Sequence, residues 1–107
     1  MSRPARLTDE ALAQLATTLS GWQLDDRRVA IHRRFVLADF AQAFGFMTQL
    51  ARVSEQLDHH PEWTNVYNRV DITLTTHDAQ GLTGLDVQWA QQADALFAQH
   101  GKASGRD

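Results

Sequence analysis

The segment DFAQAFGFMTQLARVSEQL, Asp39 to Leu57, constrains the fold more than any other part of the chain. Phe40, Phe44, Met47, Leu50, Ala51, Ser54 and Leu57 recur at three- and four-residue spacing, and Phe46 and Val53 widen the apolar stripe on a second side. Such a stripe predicts a helix packed against more than one element. Asp39 followed by Gln42 has the form of a capping box. Gly45 costs a helix about 1 kcal/mol against alanine, which suggests close packing at that position. Pro61 stands just beyond the end, and a residue before proline is steered away from helical angles. His59-His60-Pro61 therefore reads as a short loop leaving the helix.

The flanking segments supply the remaining layers. Leu7, Ala11, Leu12, Leu15, Ala16 and Leu19 predict a first helix over 7–19, with Thr8 as its cap and Asp9 and Glu10 at its positive end. SGW at 20–22 stops it. In VAIHRRFV, 29–36, Val29, Ile31 and Phe35 share one face with Arg33 as an exception, and His32 and Arg34 share the other. This is a strand, and WQLDD at 22–26 is a candidate partner. VYNRVDITLTTH, 66–77, alternates: Val70, Ile72 and Leu74 lie on one face, and Arg69, Asp71, Thr73 and Thr75 on the other. If that strand persists, His77 joins the polar face. After a DAQG turn, Thr83 caps a last helix with Asp86 at its third position, and Leu85, Trp89, Ala93, Leu96 and Phe97 form its stripe. The expected fold class is α+β, in the order α-β-β-α-β-β-α: a four-stranded antiparallel sheet with three helices on one face and an open second face.

Length and composition limit what such a fold can be. The chain has 107 residues, 43% of them apolar, enough for a single domain spanning 1–107, with 1–6 and 101–107 expected to be frayed. A domain of this size buries roughly two-thirds of its unfolded surface, so oligomerisation is a natural supplement. The absence of cysteine excludes disulfides, thiolate nucleophiles and cysteine zinc sites. No segment reads as a signal peptide or membrane span, and a cytoplasmic location is expected. The net charge of −3 and the single arginine cluster, Arg27, Arg28, Arg33 and Arg34, argue against direct nucleic-acid binding.

The candidate chemistry lies in LDHHPEW, 57–63. A helix-to-strand loop can carry His and Pro for turn reasons alone. Trp63, a large aromatic able to wall a pocket, and His77, which a hairpin could fold back towards His59, argue for more. A metal site needs three or four converging ligands, and His59, His60 and His77 could supply three, with Asp58, Asp78 and Asp86 as acceptors for their far nitrogens. Adjacent loop residues point apart, however, and no HxH or HxxxH spacing occurs. Acid–base chemistry asks for less: two imidazoles flanking a flat substrate could remove water without metal or cofactor, with Asp86 orienting one of them. No serine sits in a nucleophile elbow. His32 and His100 read as surface residues.

Glu55 to Asp86, EQLDHHPEWTNVYNRVDITLTTHDAQGLTGLD, closely resembles the signature of the pterin-4a-carbinolamine dehydratases, and the similarity extends over about Leu7 to Phe97. The resemblance implies a hydro-lyase that dehydrates 4a-hydroxytetrahydropterin to quinonoid dihydropterin. It would thereby recycle the pterin cofactor of aromatic amino-acid hydroxylases. It implies His59 and His77 as the main acid–base pair. It further implies His60 as a binding and orienting residue supported by Asp86 and Glu55, and Trp63 and Pro61 beside the substrate. No metal and no cofactor are implied, the pterin being the substrate, and homodimers or homotetramers are. Many members carry Arg directly before the equivalent of Asp86; here Leu85 stands there. The alternative is a non-catalytic interaction or dimerisation module, or a transcriptional co-regulator, of the same fold.

Overall fold

A computed structural model of the chain describes residues 5–105, with side chains described as far as residue 100. The elements are α1 (Asp9–Thr18), β1 (Gln23–Leu24), β2 (Ile31–Val36), α2 (Phe40–Leu57), β3 (Glu62–Val66), β4 (Arg69–Leu74) and α3 (Gly84–Gly105), with one 3-10 turn at His77–Ala79. The four strands form one antiparallel sheet in the order β1-β2-β4-β3. This is the expected α+β fold.

Alternation decides which sheet face is covered. Ile31, Phe35, Val70, Ile72 and Leu74 are buried beneath the helices. Phe35 stands edge-on to Trp22, Phe46 and Phe97, which ties α1's exit, α2 and α3 to the sheet centre. Arg33 falls on this covered face, the exception visible in the sequence. Its Nη1 donates to Asp94 Oδ1 at 2.8 Å, and its guanidinium lies 4.4 Å from the Phe35 ring centroid. Trp22 Nε1 donates to the same Asp94 oxygen at 2.9 Å. The charge is thus paired, and its flat face covers an aromatic ring.

Helix starts follow the local signals. Thr8 Oγ1 accepts from Ala11 N–H, and Asp39 Oδ1 accepts from Gln42 N–H. Three expectations need correction. The buried stripe of α2 is Ala43, Phe46, Leu50, Val53 and Ser54, whereas Phe40 and Phe44 are 48% and 57% exposed and Ala51 is exposed. Spacing alone does not rank the positions of so wide a stripe, nearly all of them apolar, and so does not locate its buried centre. Gly45 has no close neighbour: a Cβ there would meet only His100 Cε1 at 3.8 Å, an ordinary contact. The run 66–77 is not one strand. Tyr67, at φ 50°, turns the chain between β3 and β4, and β4 ends at Leu74.

The expected frayed ends lie partly outside the described residues. Within them, Arg6 forms a β-bridge with Thr83, Leu7 N–H donates to Leu82 O at 2.8 Å, and α3 continues to Gly105. No helix among the described residues is long and apolar enough to cross a membrane.

Candidate active site

The loop after α2 is set by how that helix stops. Asp58 takes the left-handed conformation (φ 50°, ψ 46°) at the helix end. Its N–H donates to Glu55 O at 3.3 Å, and His59 N–H donates to Ser54 O at 3.0 Å. These paired bonds are a Schellman closure, with Asp in the place glycine commonly holds. The chain then turns inward at His59, and Pro61 prevents helix from resuming.

His59 is buried and Asp86 fully so. His59 Nε2 lies 2.6 Å from Asp86 Oδ1. Asp86 Oδ2 accepts from Thr76 Oγ1 at 2.7 Å and from Thr83 N–H at 2.9 Å. Thr83 Oγ1 in turn accepts from Leu85 N–H at 3.2 Å, completing the cap of α3. One carboxylate therefore closes the helix start, fixes the end of the sheet and orients an imidazole. An ionised carboxylate only accepts, so the bond to Asp86 is made by Nε2–H, and Nδ1 is the ring nitrogen turned away from Asp86.

The other two histidines are exposed and bear on other carboxylates. His60 Nε2 lies 2.7 Å from Glu55 Oε2, one turn back on α2. His77 opens the 3-10 turn instead of extending β4, and its side chain is 78% exposed. Its Nε2 lies 3.2 Å from Glu62 Oε2 at the start of β3. The hairpin therefore brings His77 against Glu62, three residues beyond His59. The three rings do not converge as ligands: among the described residues, no group of three or more His, Asp or Glu side chains is placed to hold a metal. Asp58 and Asp78 are not the acceptors; Glu55 and Glu62 are.

His59 and His77 are nevertheless joined through the backbone. Thr76, which holds Asp86, directly precedes His77, and its N–H and C=O pair with Gly81 across the turn. On the open sheet face, Glu62, Thr73, Thr75 and His77 line a groove of about 690 Å³. Trp63 points the other way. It pairs across the ladder with buried Ile72 and packs half-buried against the core. Pro61 is half-buried, as is Leu85 on the first turn of α3.

Thr76, Ser54 and Glu62 were missed in the sequence. Thr76 carried a usable signal: continuing the Val70–Ile72–Leu74 alternation puts a hydroxyl on the buried face, where it requires a partner. Ser54 Oγ accepts from Trp89 Nε1 at 3.0 Å, joining α2 to α3 beneath the loop. His32 is half-exposed, 3.5 Å from Asp71. His100 is not a plain surface residue. Its Nδ1 and Nε2 lie 2.8 and 2.7 Å from the Gln42 and Gln49 amides, its ring packs edge-on to Phe46, and burial pulls its pKa below the ordinary value.

The chain is similar to known proteins over most of its length. A protein of a Bradyrhizobium strain, provisionally named a pterin-4-alpha-carbinolamine dehydratase, is 54% identical over 93 residues, covering 87% of this chain and 94% of its own. A Brucella ovis protein of the same provisional name is 50% identical over 91 residues, covering 85% and 94%. A Brucella melitensis crystal structure described as a transcriptional coactivator/pterin dehydratase superposes with TM-score 0.81 at 50% identity, covering 85% of this chain and 97% of that one. A pterin dehydratase-like protein described as a RuBisCO assembly factor in the alpha-carboxysome superposes with TM-score 0.64 at 27% identity, covering 72% and 89%. The family model described as pterin 4 alpha carbinolamine dehydratase matches residues 5–96, and the chain belongs to that family.

Proposed function

We propose that the chain dehydrates 4a-hydroxytetrahydropterins by histidine acid–base catalysis, without a metal or cofactor, recycling the pterin used by aromatic amino-acid hydroxylases. The observation that carries this reading is the buried His59–Asp86 pair, whose carboxylate is also held by Thr76, the residue before His77.

The reaction breaks the C4a–O bond and removes the N5 proton, so that a C4a=N5 double bond forms and one water leaves. It needs a base towards N5 and an acid towards the departing hydroxyl, and an imidazole can take either role. His59, with Nε2 fixed on Asp86, offers Nδ1; His77 offers the nitrogen not facing Glu62. Which of them acts first as acid follows the face on which the hydroxyl stands. His60, oriented by Glu55, binds the ring, and Pro61 and Trp63 shape the loop beside it. Homodimers or homotetramers would supplement the small core.

Dehydration of a freshly generated 4a-hydroxytetrahydropterin, followed by rapid-mixing absorbance, tests the proposal. Wild type should accelerate the loss of water, His59→Ala and His77→Ala should each slow it, and a chelator should leave the wild-type rate unchanged. Equal rates in wild type and both variants would remove the assignment.

A second reading has specific support. One structural relative is described as a coactivator as well as a dehydratase, and another as an assembly factor. Recovery of a stoichiometric protein partner by a chain that does not dehydrate the pterin would favour a non-catalytic module.

A further inference from the structure

We infer that the groove beside His77 accepts an anionic group on the pterin's side chain, held by Arg27 and Arg6; this rests on the dehydratase reading of the site. Both arginines line the groove that contains Glu62, Thr73, Thr75 and His77. Both also line an adjoining depression with Asp9 and Arg28, so they stand where the two hollows meet.

Neither charge is drawn into an ion pair. Arg33 and Arg34 bond to Asp94 and Asp71 at 2.8 and 2.9 Å. Among the described residues, neither Arg6 nor Arg27 has a carboxylate within 4 Å. Two carboxylates share these hollows: Glu62, which is engaged by His77, and Asp9, which pairs with neither arginine. Two guanidinium groups bordering one hollow repel each other, and an anion relieves that repulsion. Their planar forks match the oxygens of phosphate or carboxylate. The chain as a whole carries a net charge of −3, so a cationic spot here is a local exception.

Both positions are braced. Asp25 Oδ1 accepts from Val29 and Ala30 N–H at 2.8 and 3.1 Å, and Arg28 turns the chain at φ 61°, which fixes the turn bearing Arg27. Arg6 is held by its bridge to Thr83, and its side chain lies over Gly81, with Nε 3.0 Å from where a Cβ would stand.

The test uses three oxidised, unreactive pterins: 6-hydroxymethylpterin, its phosphate ester, and pterin-6-carboxylate. Their dissociation constants for the full chain are measured by fluorescence titration at low and high salt. The phosphate ester, the carboxylate, or both should bind about tenfold more tightly than the neutral compound at low salt. Preference for the ester alone identifies phosphate as the anion; preference for both identifies either. Arg27→Gln and Arg6→Gln should each reduce the preference, as should high salt. Arg27, on an exposed turn, keeps the test decisive if the Arg6 variant does not fold. Equal binding of all three compounds, or an unchanged preference in Arg27→Gln, overturns the inference. A wild-type chain that fails to dehydrate pterin would instead sink the dehydratase reading, and the binding result would still stand.

Discussion

His59 and Asp86, 27 residues apart, meet at 2.6 Å and join the loop after α2 to the first turn of α3. Asp86 is fully buried and its two oxygens serve three donors, so the same carboxylate does structural and positioning work. Asp86→Asn should therefore affect both. The amide oxygen can still accept from Thr76 and Thr83 only if the NH2 turns to His59, which moves the ring proton from Nε2 to Nδ1, and a neutral oxygen accepts more weakly than the carboxylate it replaces, a loss of about 1 kcal/mol. Urea unfolding should show that loss. The dehydration rate should fall by roughly 10²-fold or more, as expected when a general acid–base group is misplaced. An Asn variant with full stability and full rate would show that the pair is incidental.

His59 and His77 should separate by stability. His59→Ala leaves the Asp86 carboxylate buried with one donor fewer, so it should lose about 1–3 kcal/mol. His77→Ala removes an exposed ring on a 3-10 turn and should stay within about 0.5 kcal/mol of wild type. Both should lose activity. If His77→Ala destabilises as much as His59→Ala, the exposed placement of His77 is wrong.

Much of this architecture was legible from periodicity and caps. Thr8, Asp39 and Thr83 sit at helix starts, and their short polar side chains reach only the next turn, so local sequence decides them. The Val70–Ile72–Leu74 face and the Arg33 exception followed from a period of two. Three things did not follow. The Tyr67 turn has no glycine or proline, and it interrupts a run of good strand formers. The exposed Phe40 and Phe44 match their buried neighbours in spacing and apolarity. The assignment of Glu55 to His60 and Glu62 to His77 depends on where the 3-10 turn and β3 bring the rings, a tertiary result that spacing does not encode.

Gly45 offers a stabilising change. It lies inside α2, away from either cap, and an added Cβ meets only His100 Cε1 at 3.8 Å. Alanine exceeds glycine by about 1 kcal/mol in a helix interior, so Gly45→Ala should raise the unfolding free energy by up to that amount, read as a higher urea midpoint. A lower midpoint would mean that His100 cannot tolerate the methyl group.

His100 should make stability depend on pH. Burial lowers its pKa in the folded chain below the ordinary 6.5. The unfolded chain therefore takes up the proton first as pH falls, and the folded state resists it. Stability from the neutral ring is fully present above pH 6.5 and is lost as pH falls from there through the lower folded value. Urea midpoints measured from pH 7.5 down to pH 5 should fall for wild type, and fall less for His100→Gln. The other histidines are common to both chains, so the difference between the two slopes isolates His100, and parallel slopes would show that it carries no such dependence.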